Sequence, residues 1–171
     1  TVSDVDRSLA LLRAAGFRMG VHLMAGLPGD SEDRFAETIE RTIARRPDMV
    51  RIHPVIVLKD TALAEEFQRG AYEPLTLSAA VALCKQALRK FDAARIPVIR
   101  MGLQTTAELE EPGAVVAGPF HPSIRSLVES ALMRERAAEL LEASPPGNER
   151  TVRFALTPAD RSAFYGQGRS N

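Results

Sequence analysis

Tryptophan is absent from this chain, aromatic residues make up only 5% of it, and cysteine occurs once, at position 84. A lone Cys84 excludes an internal disulfide. Neither sign of charge is in excess, since 22 lysines and arginines stand against 22 aspartates and glutamates. That balance excludes a global basic field that would recruit nucleic acid or an anionic membrane, while leaving a local patch open. No apolar run approaches the roughly 18 to 20 residues of a spanning helix, so no membrane partner is expected. One thiol and no span together read as a reducing, cytoplasmic setting. The chain has neither the phosphate-cradling GxxxxGK followed by Ser or Thr nor the dinucleotide GxGxxG, and no Ser, His and Asp set or metal-spaced cluster. Internal repeats and low-complexity tracts are also missing. Residue 1 is Thr rather than Met, a helix opens the chain with no strand before it, and the end stops in a polar tail. Both ends read as those of a piece of something longer, whether cut by design or by proteolysis.

What is present is ordinary α/β patterning. With 171 residues, 45% of them hydrophobic, a proper core is affordable and one domain is the default. Val2, Val5, Leu9 and Leu12 recur at spacings of three and four, an amphipathic helix that Ser3 or Thr1 can cap and Gly16 ends. A strand is expected from Phe17 to Ala25, then a helix from Ser31 with Phe35, Ile39 and Ile43 on one face. "DMVRIHPVIVL" reads as a second strand, with Pro54 arguing for an irregular edge or a bulge. Thr61 caps a short helix ending at Gly70. Leu77, Val81, Cys84, Leu88 and Phe91 form a further stripe, and "VIRMGL" is a third strand. Alternation of this kind predicts parallel strands joined by right-handed crossovers. After Gln104 the pattern changes to a loop, "AELEEPGAVVAGPFHPS", a helix from Ile124 to Ala143, the linker "SPPGNE", and a last strand and helix in "TVRFALTPADRSAFYGQGRSN". The expected division is therefore 1–104 for the alternating part and 105–171 for an extension.

Side chains alternate across a strand, so each strand sorts into two faces. Val21, Leu23 and Ala25 oppose Gly20, His22, Met24 and Gly26. Val50, Ile52, Ile56 and Leu58 oppose Arg51, His53, Val55 and Val57. Ile99, Met101 and Leu103 oppose Arg100, Gly102 and Gln104. The apolar faces meet the helices, and the other face, with two histidines and two arginines, suggests a lined cavity; an open sheet with one wet face is the alternative. In parallel α/β folds ligands sit at the carboxyl ends of strands, and here those ends read "AGLPGD", "VLKDT" and "MGLQTT" on one rim. Gly26 and Gly29 either leave backbone free to approach a ligand, next to a helix N-terminus at Ser31, or simply make a tight turn.

"VHLMAGLPGDSEDRF" followed by "MVRIHPVIVLKDTALAEEFQRGAYEPLTLSAAV" resembles the second half of the radical S-adenosylmethionine core, with oxygen-independent coproporphyrinogen III oxidases and elongator catalytic subunit-like proteins as the nearest kinds. The likeness covers about residues 1–104; "VVAGPFHPSIRSLVES" and "FALTPADRSAFYGQ" look like an extension of bacterial elongator-related members. The resemblance implies the carboxyl-side, three-stranded parallel part of a six-stranded (β/α)6 partial TIM-type barrel. It also implies an oxidoreductase in which a four-iron four-sulfur cluster held by CxxxCxxC cleaves S-adenosylmethionine to a 5′-deoxyadenosyl radical that abstracts hydrogen. Carried over by position, the ribose contact falls at His22, the apolar contact at Met24, the family glycine at Gly26 and the adenine contact at Val55. His22 departs from the family's carboxylate: imidazole offers one donor and one acceptor to a hydroxyl. CxxxCxxC is absent, so the cluster ligands must lie upstream of Thr1 or be lost, and this chain alone is expected to be inactive.

His53, Arg100 and Gln104 are candidate substrate contacts, because guanidinium forks suit carboxylates such as propionates; satisfied core histidines and structural ion pairs are the alternatives. His121 reads as a loop or capping group, Cys84 as core packing, and Glu129, Arg134, Glu135, Arg136 and Glu139 as a solvated helix face. Three functions remain in view: a coproporphyrinogen oxidase-like radical enzyme, an elongator-like enzyme modifying tRNA, and a non-enzymatic α/β binding module. The substrate, small molecule or tRNA, would be met together with the missing half. A free sheet edge predicts oligomeric pairing or cover from the helix that starts at Ile124.

Overall fold

The computed structural model describes residues 2–143 and 151–166. Thr1 as a cap and the "SPPGNE" linker lie outside them. The chain divides into two compact units, Thr1–Pro122 and Ser123–Asn171; the first therefore runs on past Gln104.

The first unit opens with α1 (Val2–Ala14), β1 (Gly20–Ala25) and α2 (Glu32–Ala44). Ser31 caps α2, its hydroxyl accepting from the Arg34 amide at 3.2 Å, with Glu32 and Asp33 favourably placed in the first turn. β2 (Met49–Pro54), β3 (Val57–Leu58), α3 (Ala62–Gln68), α4 (Leu77–Ala93) and β4 (Val98–Met101) follow, then α5 (Ala107–Glu110) and β5 (Val115–Ala117). β1, β2 and β4 form one three-stranded sheet in that order, parallel throughout, with β2 in the centre. α4 lies over β2 and β4 and packs beside α2.

Several local expectations are corrected. "DMVRIHPVIVL" is two strands, not one. Pro54 marks neither an edge nor a bulge: it is the last residue of the central strand, and the Val55 amide after it still donates to the Ala25 carbonyl of β1 at 2.9 Å. Beyond it the alternation slips, so Val55 and Val57, expected on the polar face, are buried with Ala64 and Tyr72. The irregularity in the ladder lies elsewhere. Val50 pairs with Val98 and Arg51 with Arg100, so Ile99 is an extra residue bulged out of β4. Ile99 is accordingly 47% exposed rather than part of the apolar face, and Leu103 is exposed as well.

The supposed loop after Gln104 contains α5 and β5, and β5 pairs antiparallel with β3 in a second, two-stranded sheet. Strands of two and three residues are too short for periodicity to reveal. The stripe on α4 is rotated from the expected one: Ala80, Leu83, Cys84, Ala87, Leu88 and Phe91 are buried, while Leu77 is exposed. α1 has the expected spacing yet buries no residue. It is held to the end of α2 by polar groups instead, Arg13 Nη2 donating to the Arg45 carbonyl at 2.7 Å and Asp6 pairing with Arg45. That ion pair holds the exposed Asp6 carboxyl below its ordinary range.

The second unit contains α6 (Ile124–Ala143), with the boundaries the sequence predicts, and α7 (Arg161–Tyr165). Glu129 forms an intrahelical pair with Arg125, a residue the sequence reading did not name. Residues 151–156 form no strand; Phe154 instead meets Phe164 of α7 at 5.3 Å between ring centroids.

Candidate active site

The polar face of the parallel sheet is a rung of cationic groups with two imidazoles beside it. His22 of β1 registers with Arg51 of β2, which registers with Arg100 of β4. One step toward the carboxyl ends, His53 registers with Met24. His22 and His53 approach to 5.6 Å between ring centroids, tilted by 40°. Leu23, Ala25, Val50, Ile52 and Met101, on the other side, are all buried. The bulge at Ile99 is what keeps Arg100 and Met101 in phase with β2. Arg100 Nη1 donates to Gln104 Oε1 at 2.9 Å, which joins those two candidate residues directly.

Burial pushes the His53 imidazole below its ordinary range, and positive charge at His22, Arg51 and Arg100 pushes the same way, opposed by the Gly102 backbone. Its Nδ1 is buried without a hydrogen-bond partner. Met24 offers a side chain 48% exposed beside it.

At the rim, the bare backbone of Gly26 serves the turn. Its φ is +85°, and a Cβ there would meet Leu75 Cδ1 and Cγ at 2.7 Å. Its N–H donates to Asp30 Oδ2 at 3.1 Å, and its carbonyl accepts from the Tyr72 hydroxyl at 2.6 Å. Burial, with the Asp30 carboxylate adding to it, pushes the Tyr72 phenol upward, so it stays a donor. Both hydrogen-bonding groups of Gly26 are thus taken, and the tight-turn reading accounts for this glycine. Asp30, Tyr72 and Leu75 were not singled out by the sequence: Asp30 follows a turn signal, whereas nothing in "GAYEPL" marks Tyr72 as a partner 46 positions away.

Val55 does not join the site through its side chain, which is 3% exposed and packed with Val57, Ala64 and Tyr72. Cys84 is fully buried in α4 and its thiol is pushed up to about 12. Among the described residues no group of three or more His, Cys, Asp and Glu could hold a metal. The donor set of a four-iron cluster is therefore not met by these residues. A nucleoside is a better match, given the exposed imidazole of His22, the exposed thioether of Met24 and the orphan His53 nitrogen. Among the described residues no helix is long and apolar enough to cross a membrane.

Comparison with known proteins sets this geometry in a family. The chain is 35% identical over 77 residues to the tRNA uridine(34) acetyltransferase of Methanocaldococcus jannaschii, covering 43% of this chain and 14% of that protein. It is 30% identical over 143 residues to Elongator complex protein 3 of Danio rerio, covering 81% of this chain and 25% of that one. The solved structure of the Methanocaldococcus infernus Elp3 with an N-terminal deletion superposes with a TM-score of 0.64 at 24% identity, over 80% of this chain and 31% of that chain. This chain thus spans a minor part of each relative's length, and that structural likeness concerns the fold. The relatives are of the elongator kind, and the coproporphyrinogen oxidase resemblance gains nothing from them. Residues 47–134 match the family model described as the Radical_SAM C-terminal domain, on a parallel sheet with a polar inner face, and the chain belongs to that family.

Proposed function

We propose that the protein to which this chain belongs is an elongator-type radical S-adenosylmethionine enzyme acting on tRNA, and that the polar sheet face is this chain's share of its active-site wall. The observation that carries the reading is the convergence of His22, His53 and Arg100 on one face of three parallel strands, near their carboxyl ends. Relatives named for tRNA uridine and for the elongator complex support the tRNA branch over coproporphyrinogen oxidation. S-adenosylmethionine, when bound, supplies the hydrogen-abstracting chemistry.

The chain's own groups have simpler tasks. The His22 imidazole donates to or accepts from a ribose hydroxyl, Met24 gives apolar contact to the nucleoside, and Gly26, tied off by Asp30 and Tyr72, holds the β1 end in position. His53, Arg100 and Gln104 face the substrate, with Gln104 fixing the Arg100 fork. Val55 contributes only by backing the rim. The test is S-adenosylmethionine consumption by the intact protein prepared without oxygen. tRNA should stimulate turnover, more weakly at high salt. His22→Ala should raise the KM for S-adenosylmethionine about tenfold, the scale of one hydrogen bond. Turnover indifferent to tRNA would sink the reading.

A further inference from the structure

One rung of the parallel sheet carries more positive charge than carboxylates among the described residues neutralise. Arg51 and Arg100 are register partners on β2 and β4, and adjacent strands lie about 4.8 Å apart. Two permanently charged guanidiniums thus stand side by side on one face, an arrangement that costs stability unless something offsets it. Three other arginines are matched with acids: Arg45 with Asp6, Arg41 with Glu37, Arg125 with Glu129. Among the described residues neither Arg51 nor Arg100 has a carboxylate partner, and the side-chain partner of Arg100 is the neutral Gln104 amide. The charges that act on His53 from this face, those of His22, Arg51 and Arg100, all work against its protonation.

We propose that the Arg51 and Arg100 pair on this rung is an oxyanion site that takes a phosphate group, with the His22 and His53 imidazoles beside it. A phosphate suits the rung better than a carboxylate does. Its oxygens are disposed tetrahedrally, so forks reaching it from two strands can each meet an oxygen, whereas the two oxygens of a carboxylate lie in one plane. The rung lies midway along β1 and β2, on the face whose carboxyl end is where ligands of such folds sit. The inference rests on the reading that this face lines the substrate cavity, where a nucleotide phosphate is the natural source.

Histidine-ring NMR of this chain, titrated with inorganic phosphate at constant pH and ionic strength, tests it. His121, which is not among the charged groups acting on His53, serves as internal reference. Saturable shifts are expected at His22 and His53 and none at His121, with acetate inert. Arg51→Gln and Arg100→Gln should each weaken phosphate about tenfold, the scale of a lost charge-assisted hydrogen bond, while Arg51→Gln raises Tm in phosphate-free buffer. That rise also shows the variant to be folded. Non-saturable shifts, an equal response to acetate, or unchanged affinity in Arg51→Gln would overturn the site. The two proposals fail separately: turnover stimulated by tRNA without a phosphate response overturns this site alone, and a phosphate response with tRNA-indifferent turnover overturns the functional reading alone.

Discussion

On one side of the β1-β2-β4 sheet Leu23, Ala25, Val50 and Ile52 are at most 5% exposed. On the other, His22, Met24, Arg51, His53 and Arg100 come from the same three strands and remain open or half open. One backbone ladder therefore serves two opposite purposes, separated by the parity of residue number along β1 and β2 and, in β4, by a parity that the Ile99 bulge resets. The difference teaches that the stability of this region is carried by one face, which leaves the other free to hold groups that cost stability. A buried imidazole nitrogen without a partner and two adjacent guanidiniums are tolerable there only because the opposite face overdetermines the strands.

The largest effect expected from breaking this contrast lies on the apolar side. Ile52→Ala should lower unfolding free energy by about 2–5 kcal/mol in urea denaturation, as large-to-small changes at fully buried sites do. A loss under 1 kcal/mol would mean that the sheet is not anchored by this face. Next comes the rim, where the faces meet: Gly26→Ala forces a left-handed φ on a residue with a Cβ and drives it into Leu75. Its cost should be about 1–3 kcal/mol. Gly29→Ala should cost less, because only Arg34 Nη1, at 3.8 Å, is near its Cβ position. Equal costs at the two glycines would show that Leu75 packing is irrelevant.

The smallest effect belongs to the polar face. His53 titrates below its ordinary value of 6.5, so below that pH the unfolded chain binds more protons than the folded one. The contribution of His53 to stability is therefore complete above pH 6.5 and is lost as pH falls through the lower folded value. Urea midpoints measured from pH 7.5 to 5 should decline, and His53→Gln should flatten the decline. An undiminished slope in that variant would assign the pH response to other groups.

Much of this was legible in the chain. His22, Leu23, Met24 and Ala25 fall on the faces their numbering predicts because nothing interrupts β1. Arg100 reaches its predicted face although the residue before it does not, since the Ile99 bulge shifts the count. The cap at Thr61 formed as read, and Ser31, read only as the helix start, caps in the same way, each hydroxyl accepting from the amide three residues on. α1 shows the limit. It carries the same three-and-four spacing as α2, but Val2, Val5 and Leu12 stay at least 43% exposed. Val2 and Val5 border, with Leu9, Val21 and Leu23, a groove of about 250 Å³. Amphipathicity says which side of a helix seeks cover, not whether cover is near.

The sequence by itself determined the alternation of helices with strands, the side of β1 that bears imidazole, and the stops at Gly16 and Gly70, because each depends on backbone sterics and hydrogen bonds within a few residues. Only tertiary structure decided that Ile99 bulges, that β3 finds β5, that Tyr72 closes on Gly26, and that His22 and His53 stand together with two arginines. Those outcomes depend on which distant segments share a ladder, and the free energy that selects a partner comes from burial and hydrogen bonds that no local stretch contains.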